Sequence, residues 1–331
     1  MPEPELTAAE ADEFFGRVGL VRRIMARIGA GRPQSVAVIG GRRSGKSSLL
    51  AFLSDPDVKK KWLESEEDYL FIPIRTGSDG AATIEDFFGT LADRLGMRLA
   101  ARSDPYEGIR LRIEELHGMG RRIIILLDDF HHVTGNDDFP VEFFSFLRSM
   151  ANNYNLAYVT TSLLELQTLC VAKEVQESPF FNIFTNMHLG MLTVPEATAL
   201  LVHAADCDAG LASFLATWCG GSPYLVRKTA AAVVSGQLAA GSSEAELATI
   251  LLPGFAPHFE EVLAMLPAEA FRPLQAVSRG KAPNQADEHR LGPLVKQGFL
   301  VEGPEGLSPF SPAFGLFLQK SLNPRMFLGR C

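Results

Sequence analysis

The stretch "IGGRRSGKSSLL", Ile39 to Leu50, constrains this chain more than any other. Gly40, Gly45, Lys46 and Ser47 complete the pattern G-x-x-x-x-G-K-[ST], with Gly41, Arg42, Arg43 and Ser44 inside it and Ser48 just after. Each residue type has a physical task. The glycines let backbone N–H groups turn inward around a phosphate, and the N-terminus of a following helix adds partial positive charge. Lys46 reaches the β- and γ-phosphates, and the Ser47 hydroxyl takes a position on Mg²⁺. The loop is therefore expected to bind a nucleoside triphosphate.

Such a site needs an acidic residue at the tip of a neighbouring strand, and "IIILLDDF" supplies two. Asp128 is expected to hold the Mg²⁺, and Asp129 to face the attacking water. Two carboxylates after a fully apolar strand are hard to explain as packing, because an uncompensated buried charge costs several kcal/mol. Asp129 stands where a glutamate is commoner. It is one methylene shorter and holds water less well, so hydrolysis is expected to be slow.

The rest of the chain supplies the frame. "SVAVIG" (35–40), "YLFIPIR" (69–75), "RIIILLDD" (122–129) and "LAYVTTS" (156–162) read as strands, with "NMHLGML" (186–192) a possible fifth. Helical patterns lie between them, at 20–28, 83–96, 104–118 and 141–152. Thr7-Ala-Ala-Glu10 reads as a capping box opening a helix of its own. Alternating strands and helices predict an α/β fold with a parallel sheet. After Thr193 the strand signal stops. Helical segments follow, broken at Gly220-Gly221, Gly241 and Pro253-Gly254, and the last stretch reads helix, helix, hairpin, helix, the order of a winged helix. The expected division is a lead-in over 1–33, a phosphate-loop core over 34–191, a helical lid over 192–252 and a winged helix over 253–331.

Composition narrows the function classes. The formal charge of −8 argues against the whole chain coating DNA or an acidic membrane. The cysteines, Cys170, Cys207, Cys219 and Cys331, are scattered without zinc-site spacing. The N-terminal stretch lacks the basic-then-apolar order of a signal peptide, and no apolar run is long enough to span a bilayer. A soluble, cytoplasmic protein without membrane insertion is expected. His131-His132 follow the acidic pair, but adjacent residues rarely converge on one ion, so a loop contact or water positioning is the better expectation. No N-K-x-D guanine-reading motif is present, and "VSGQL" (234–238) lacks the second glycine of an ABC signature.

Taken in order, these segments resemble the AAA+ ATPases of the archaeal-ATPase and STAND type, related to archaeal origin-recognition proteins. The likeness begins at "FFGRVGLVRRI" (14–24), passes through the phosphate loop (Walker A), "LLDDF" and "YVTTS", and continues with "GGSPYLVRK" (220–228) and "SPFSPAFGLFL". The resemblance implies that Phe15, Gly16 and Arg17 line the adenine pocket. It implies that Thr161 or Ser162 is the sensor hydroxyl reading the γ-phosphate, and that Pro223 and Arg227 carry the lid's contact with nucleotide. Plainer readings stand beside these: Phe14-Phe15 as a hydrophobic staple, the threonines as ordinary strand residues, Arg227 on a solvated face. The cofactors implied are ATP or ADP with Mg²⁺.

One departure bears on assembly. AAA+ rings insert an arginine from the neighbouring subunit, usually from after the sensor strand, and Ser149 to Val226 contains no arginine. Arg148 is the nearest candidate. Self-association on ATP binding, or activation by a protein partner, fits the residues better than a standard ring. Origin-type relatives bind DNA through the winged helix. Here the expected recognition helix, "DEHRLGPLVKQG", opens with two acids, and the wing "VEGPEGL" has no basic residue. A protein-contacting or autoinhibitory winged helix is preferred to a DNA reader.

Overall fold

The computed structural model describes residues 14–77, 80–99, 104–170, 172–264, 266–281, 283–304 and 306–321. The helix expected from Thr7-Ala-Ala-Glu10 lies outside them, as does Cys331. The chain divides into two compact units: one runs through Gly41 and from Gly45 to Leu189, the other comprises Arg42–Ser44 and the chain from Gly190.

In the first unit α1 (Val18–Ile28) precedes β1 (Val36–Ile39), and α2 (Lys46–Ser54) and α3 (Pro56–Trp62) follow it. Then come β2 (Tyr69–Arg75), α4 (Ile84–Arg94), α5 (Pro105–Gly118), β3 (Arg122–Asp128), α6 (Val141–Asn153), β4 (Leu156–Ser162) and β5 (Thr185–His188). The sheet order is β2-β3-β4-β1-β5, and every pairing is parallel. All residues of β1 and β4 are buried, as expected for strands covered on both faces. β2 lies at an edge, the position that tolerates its Pro73.

The strand period of two sorts the apolar run of β3 between two cores. Ile124 and Leu126 join Val36, Val38, Leu49, Leu50 and Ile24 on the side of α1 and α2. Ile123, Ile125 and Leu127 join Phe87, Phe88, Phe143, Phe144 and Phe180 on the side of α4, α5 and α6. Helix starts are fixed locally: Thr83 and Asp86 form a capping box for α4, and Asp104 caps α5 ahead of Pro105.

The second unit holds α7 (Val194–Ala205), α8 (Ala209–Cys219), α9 (Pro223–Val234) and α10 (Glu244–Leu263). After these come α11 (Phe271–Ser278), α12 (Gln285–Lys296), β6 (Leu300–Gly303), β7 (Gly306–Pro309) and α13 (Pro312–Ser321), with β6 and β7 antiparallel. This is the helix, helix, hairpin, helix order read from the sequence.

One expectation is overturned. α10 runs unbroken through Pro253, Gly254 and Pro257, so no break occurs there, and the boundary expected at 252/253 falls inside this helix. An interior proline costs a helix about 3 kcal/mol. α10 offsets that by burying Leu247, Leu251, Phe255, Phe259 and Val262 along one side. The Phe259 ring lies 5.0 Å from Phe314 and 5.1 Å from Phe317 of α13, so the helix is the shared pillar of this unit's aromatic core. Tertiary packing wins over local propensity.

Candidate functional site

β1 ends at Ile39, and the Gly40 N–H donates to the Ser162 carbonyl of β4 at 3.0 Å, which fixes where the loop leaves the sheet. Gly45 closes the loop at φ 94°, a left-handed conformation that favours glycine. A Cβ there would also lie 3.3 Å from Nη1 of Arg17, so the buried Arg17 guanidinium sits directly against the loop. No side chain caps the start of α2, the helix end at which backbone N–H groups and the helix dipole favour an anion. Lys46 is only 7% exposed, and its Nζ donates to the Gly40 and Gly41 carbonyls at 3.1 Å each. Ser47 and Ser48 are half-buried on the first turn of α2. Arg42 and Arg43 are exposed at the crest of the loop, and Ser44 is half-buried.

The carboxylates meet this loop through strand register. Val38 of β1 aligns with Thr161 of β4, and Leu127 of β3 with Thr160, so Asp128 comes level with Thr161. The Thr161 hydroxyl donates to Asp128 Oδ1 at 2.6 Å and accepts the Asp129 N–H at 2.8 Å, spanning both acidic residues. Asp128 is 1% exposed, and its Oδ2 accepts no hydrogen bond among the described residues; Arg75 Nε stands 3.9 Å from it. A buried carboxylate oxygen without a donor is costly, and a divalent cation or its water relieves that cost. The donor set, a carboxylate with a serine hydroxyl on the adjoining loop helix, suits Mg²⁺.

Asp129 is 38% exposed at its side chain and adopts φ 51°, the left-handed region that is strained for a non-glycine residue. Thr76 holds that turn by donating to the Asp128 and Asp129 carbonyls at 2.9 Å each. His131 Nδ1 lies 3.8 Å from Asp129 Oδ1. The His131 and His132 rings are 4.3 Å apart, and the His132 ring packs on Gly77, where a Cβ would come within 2.7 Å of it. His132 thus makes the loop contact. Among the described residues no group of three or more His, Cys, Asp or Glu gathers as a metal-binding cluster.

The two sensor candidates separate. Thr161 faces the carboxylate, whereas Ser162 Oγ donates to the Leu164 carbonyl at 2.6 Å. Gly16 and Arg17 both have positive φ, 72° and 57°, and this paired left-handed turn delivers Arg17 to the loop. Phe15 is half-buried, while Phe14 packs its ring 5.1 Å from Phe52 of α2, a contact between elements and not a staple on the helix that follows it. Pro223 opens α9 of the second unit, with Arg227 half-buried on the same helix. Arg148 lines a hollow with Leu156 and Ser35, at the opposite edge of the sheet from the phosphate loop. Sequence reading missed Arg75 and Thr76. The signal was their place at the end of β2, since Arg75 pairs in register with Asp128.

The family model described as novel STAND NTPase 2 matches residues 30–229. Among solved structures, the Walker-type ATPase of Pyrococcus abyssi is similar at 15% identity and TM-score 0.61, over 96% of this chain and 99% of that one. The ORC2 protein of Aeropyrum pernix, solved as ADPNP–ADP complexes, is similar at 13% identity and TM-score 0.59, over 98% and 96%. The ORC1 protein of the same organism, solved in complex with DNA, is similar at 14% identity and TM-score 0.50, over 98% and 97%. No curated protein matches the chain. The structural likenesses show the fold, a P-loop NTPase core with a helical C-terminal region, and the family match spans more than half the sequence. The chain belongs to the novel STAND NTPase 2 family.

Proposed function

We propose that this chain is an ATP-binding, slowly hydrolysing regulatory ATPase whose nucleotide state is passed to a protein partner. The observation that carries the reading is the Thr161 hydroxyl, held between Asp128 and the Asp129 N–H at the carboxyl edge of the sheet, one strand from the phosphate loop. Open α/β sheets bind ligands there. Lys46, the loop amides and Arg17 would hold the phosphates, while Ser47 and Asp128 would hold Mg²⁺. When bound, that ion neutralises charge on the β- and γ-phosphate oxygens. Asp129, half-exposed beside the buried Asp128, would orient the attacking water, and Thr161 would tie the Asp128 carboxylate to the Asp129 backbone. The relatives that bind ADP and ADPNP, and the NTPase family itself, support nucleotide as the ligand.

The C-terminal stretch would act as a protein-contacting winged helix. From Pro267 onward eight Lys/Arg stand against five Asp/Glu, a balance of +3, leaving −11 for the rest of the total of −8. Asp287 and Glu288 occupy the first turn of α12, and Glu302 is exposed on β6. These charges repel a phosphate backbone where a DNA reader attracts one. Among the described residues no helix is long and apolar enough to cross a membrane.

Calorimetric titration with Mg·ATP, followed by steady-state turnover, tests the reading. Binding lost in Lys46→Ala is expected, with turnover below the enzyme median of about 10 per second. Asp129→Asn should bind ATP and lose at least tenfold in turnover. Indifference to millimolar Mg·ATP overturns the proposal, and turnover in the tens per second overturns the slow switch. Salt-dependent binding of duplex DNA would favour a DNA-associated ATPase instead.

A further inference from the structure

The hollow beside Arg148 lies at the amino edge of the first unit's sheet, where Ser35 leads into β1 and Leu156 opens β4. Ser35 and Gly40 bracket β1, and a strand rise of about 3.3 Å per residue puts this hollow about 16 Å from the phosphate loop. Its volume is about 430 Å³, and Arg27, Arg32 and Arg148 line it with Gln34, Asn152 and Asn182. A second hollow of about 270 Å³ shares Arg148 and Asn152 with it and adds Ser145, Ser149 and Asn153. No acidic and no aromatic side chain lines either hollow among the described residues.

The charge is organised. Arg32 Nη2 donates to the Ala151 carbonyl at 3.0 Å and also to that of Asn152, so the last turn of α6 anchors it by its negative end. Arg27 Nη1 donates to Gln34 Oε1 at 2.7 Å, which holds a second guanidinium at the rim. Arg148 projects from α6 and makes no ion pair among the described residues; nor do Arg27 and Arg32. Three guanidinium groups thus share one concavity without a carboxylate, in a chain whose net charge is −8.

We propose that this concavity is a second anion site, distinct from the phosphate loop, that takes an oligophosphate group. Planar guanidinium forks pair bidentately with phosphate oxygens, and the amides and serines supply further donors. The lining holds no aromatic ring, and the phosphate chain is the group that the guanidinium forks can engage bidentately, so recognition is of that chain. The proposal is independent of whether ATP is hydrolysed.

The test is titration of the full chain carrying Lys46→Ala with inorganic tripolyphosphate, by calorimetry at about 0.15 M ionic strength. One site is expected to remain in that background. Arg148→Ala and Arg27→Ala should each weaken it tenfold or more, with circular dichroism melts confirming that both variants fold. Arg148→Lys should weaken it too, because an ammonium lacks the fork. Sulfate and a tetraglutamate peptide should bind at least tenfold more weakly than tripolyphosphate. Anion binding that disappears with Lys46→Ala and ignores Arg148→Ala would belong wholly to the phosphate loop and overturns the proposal. Equal affinity for sulfate or tetraglutamate also overturns it, by reducing the hollow to diffuse attraction.

Discussion

Thr161 is the residue on which the proposed chemistry is most exposed to test. Its hydroxyl serves two groups at once, so Thr161→Val leaves the Asp128 oxygen and the Asp129 N–H without their partner. Each unmet polar group costs about 1–3 kcal/mol. The valine variant should therefore melt several degrees lower and hydrolyse ATP at least tenfold more slowly, with affinity for ATP held within a few-fold. Thr161→Ser keeps both hydrogen bonds and should stay near wild type in turnover. Full-rate hydrolysis by the valine variant would remove Thr161 from the reaction. At this scale the sequence was partly transparent. Adjacent carboxylates after an apolar strand announce themselves, because burial makes them improbable as packing. Arg75 and Thr76 do not, since an arginine and a threonine at the end of a strand are ordinary until register sets them beside Asp128. Nor does any local pattern reveal that Asp129 takes a left-handed turn; that follows from the Thr76 and Thr161 bonds reaching it from other strands.

Elements of the second unit carry two further expectations. The glycine pair before α9 is a packing device: a Cβ on Gly221 would lie 1.9 Å from the Leu192 carbonyl oxygen, and the Leu192 N–H donates to the Gly221 carbonyl at 2.7 Å. Gly221→Ala forces backbone against backbone, at about 3 kcal/mol. The melting point of this unit should fall by about 10 °C. Trp218 reports it, being one of only two tryptophans and buried in α8. An unchanged Trp218 melt would show that the pair is dispensable. On α10, burial pushes the His258 imidazole down to about 4, with Arg43 adding to the fall and Glu261 opposing it. The unfolded chain binds a proton near pH 6.5 that the folded one refuses until pH 4, so this contribution is complete above 6.5 and is lost as pH falls towards 4. It amounts to at most about 3 kcal/mol. His258→Gln lacks it, so the stability gap between variant and wild type should change between pH 7 and pH 4; parallel profiles would contradict the assignment. Strands and most helices were legible because periodicity and caps are local signals. The passage of α10 through two prolines was not, because the aromatic partners that hold it, Phe314 and Phe317, come from the far end of the chain.

For the whole molecule, a switch demands more than a nucleotide site: binding at the first unit must change the free energy of the second. A ligand at a hundredfold its Kd stabilises what it binds by about 2.7 kcal/mol, whichever unit melts first. If the units are uncoupled, that gain stays with the phosphate-loop unit. If nucleotide state is transmitted, part of it appears in the other, because a ligand shifts an equilibrium only by its differential affinity for the two states. The two tryptophans make the distinction measurable, since Trp62 lies in α3 of the first unit and Trp218 in α8 of the second. With Trp62→Phe, tryptophan fluorescence follows the second unit alone while circular dichroism follows the whole chain. Mg·ATP should raise both transitions, and Lys46→Ala should abolish both shifts. Light scattering of the same samples then separates internal coupling from self-association, because assembly makes the shift depend on protein concentration. A Trp218 transition that ignores ATP while the dichroism transition rises would leave a nucleotide-binding unit with no transmitted signal, and the regulatory reading would fall even though the site stood.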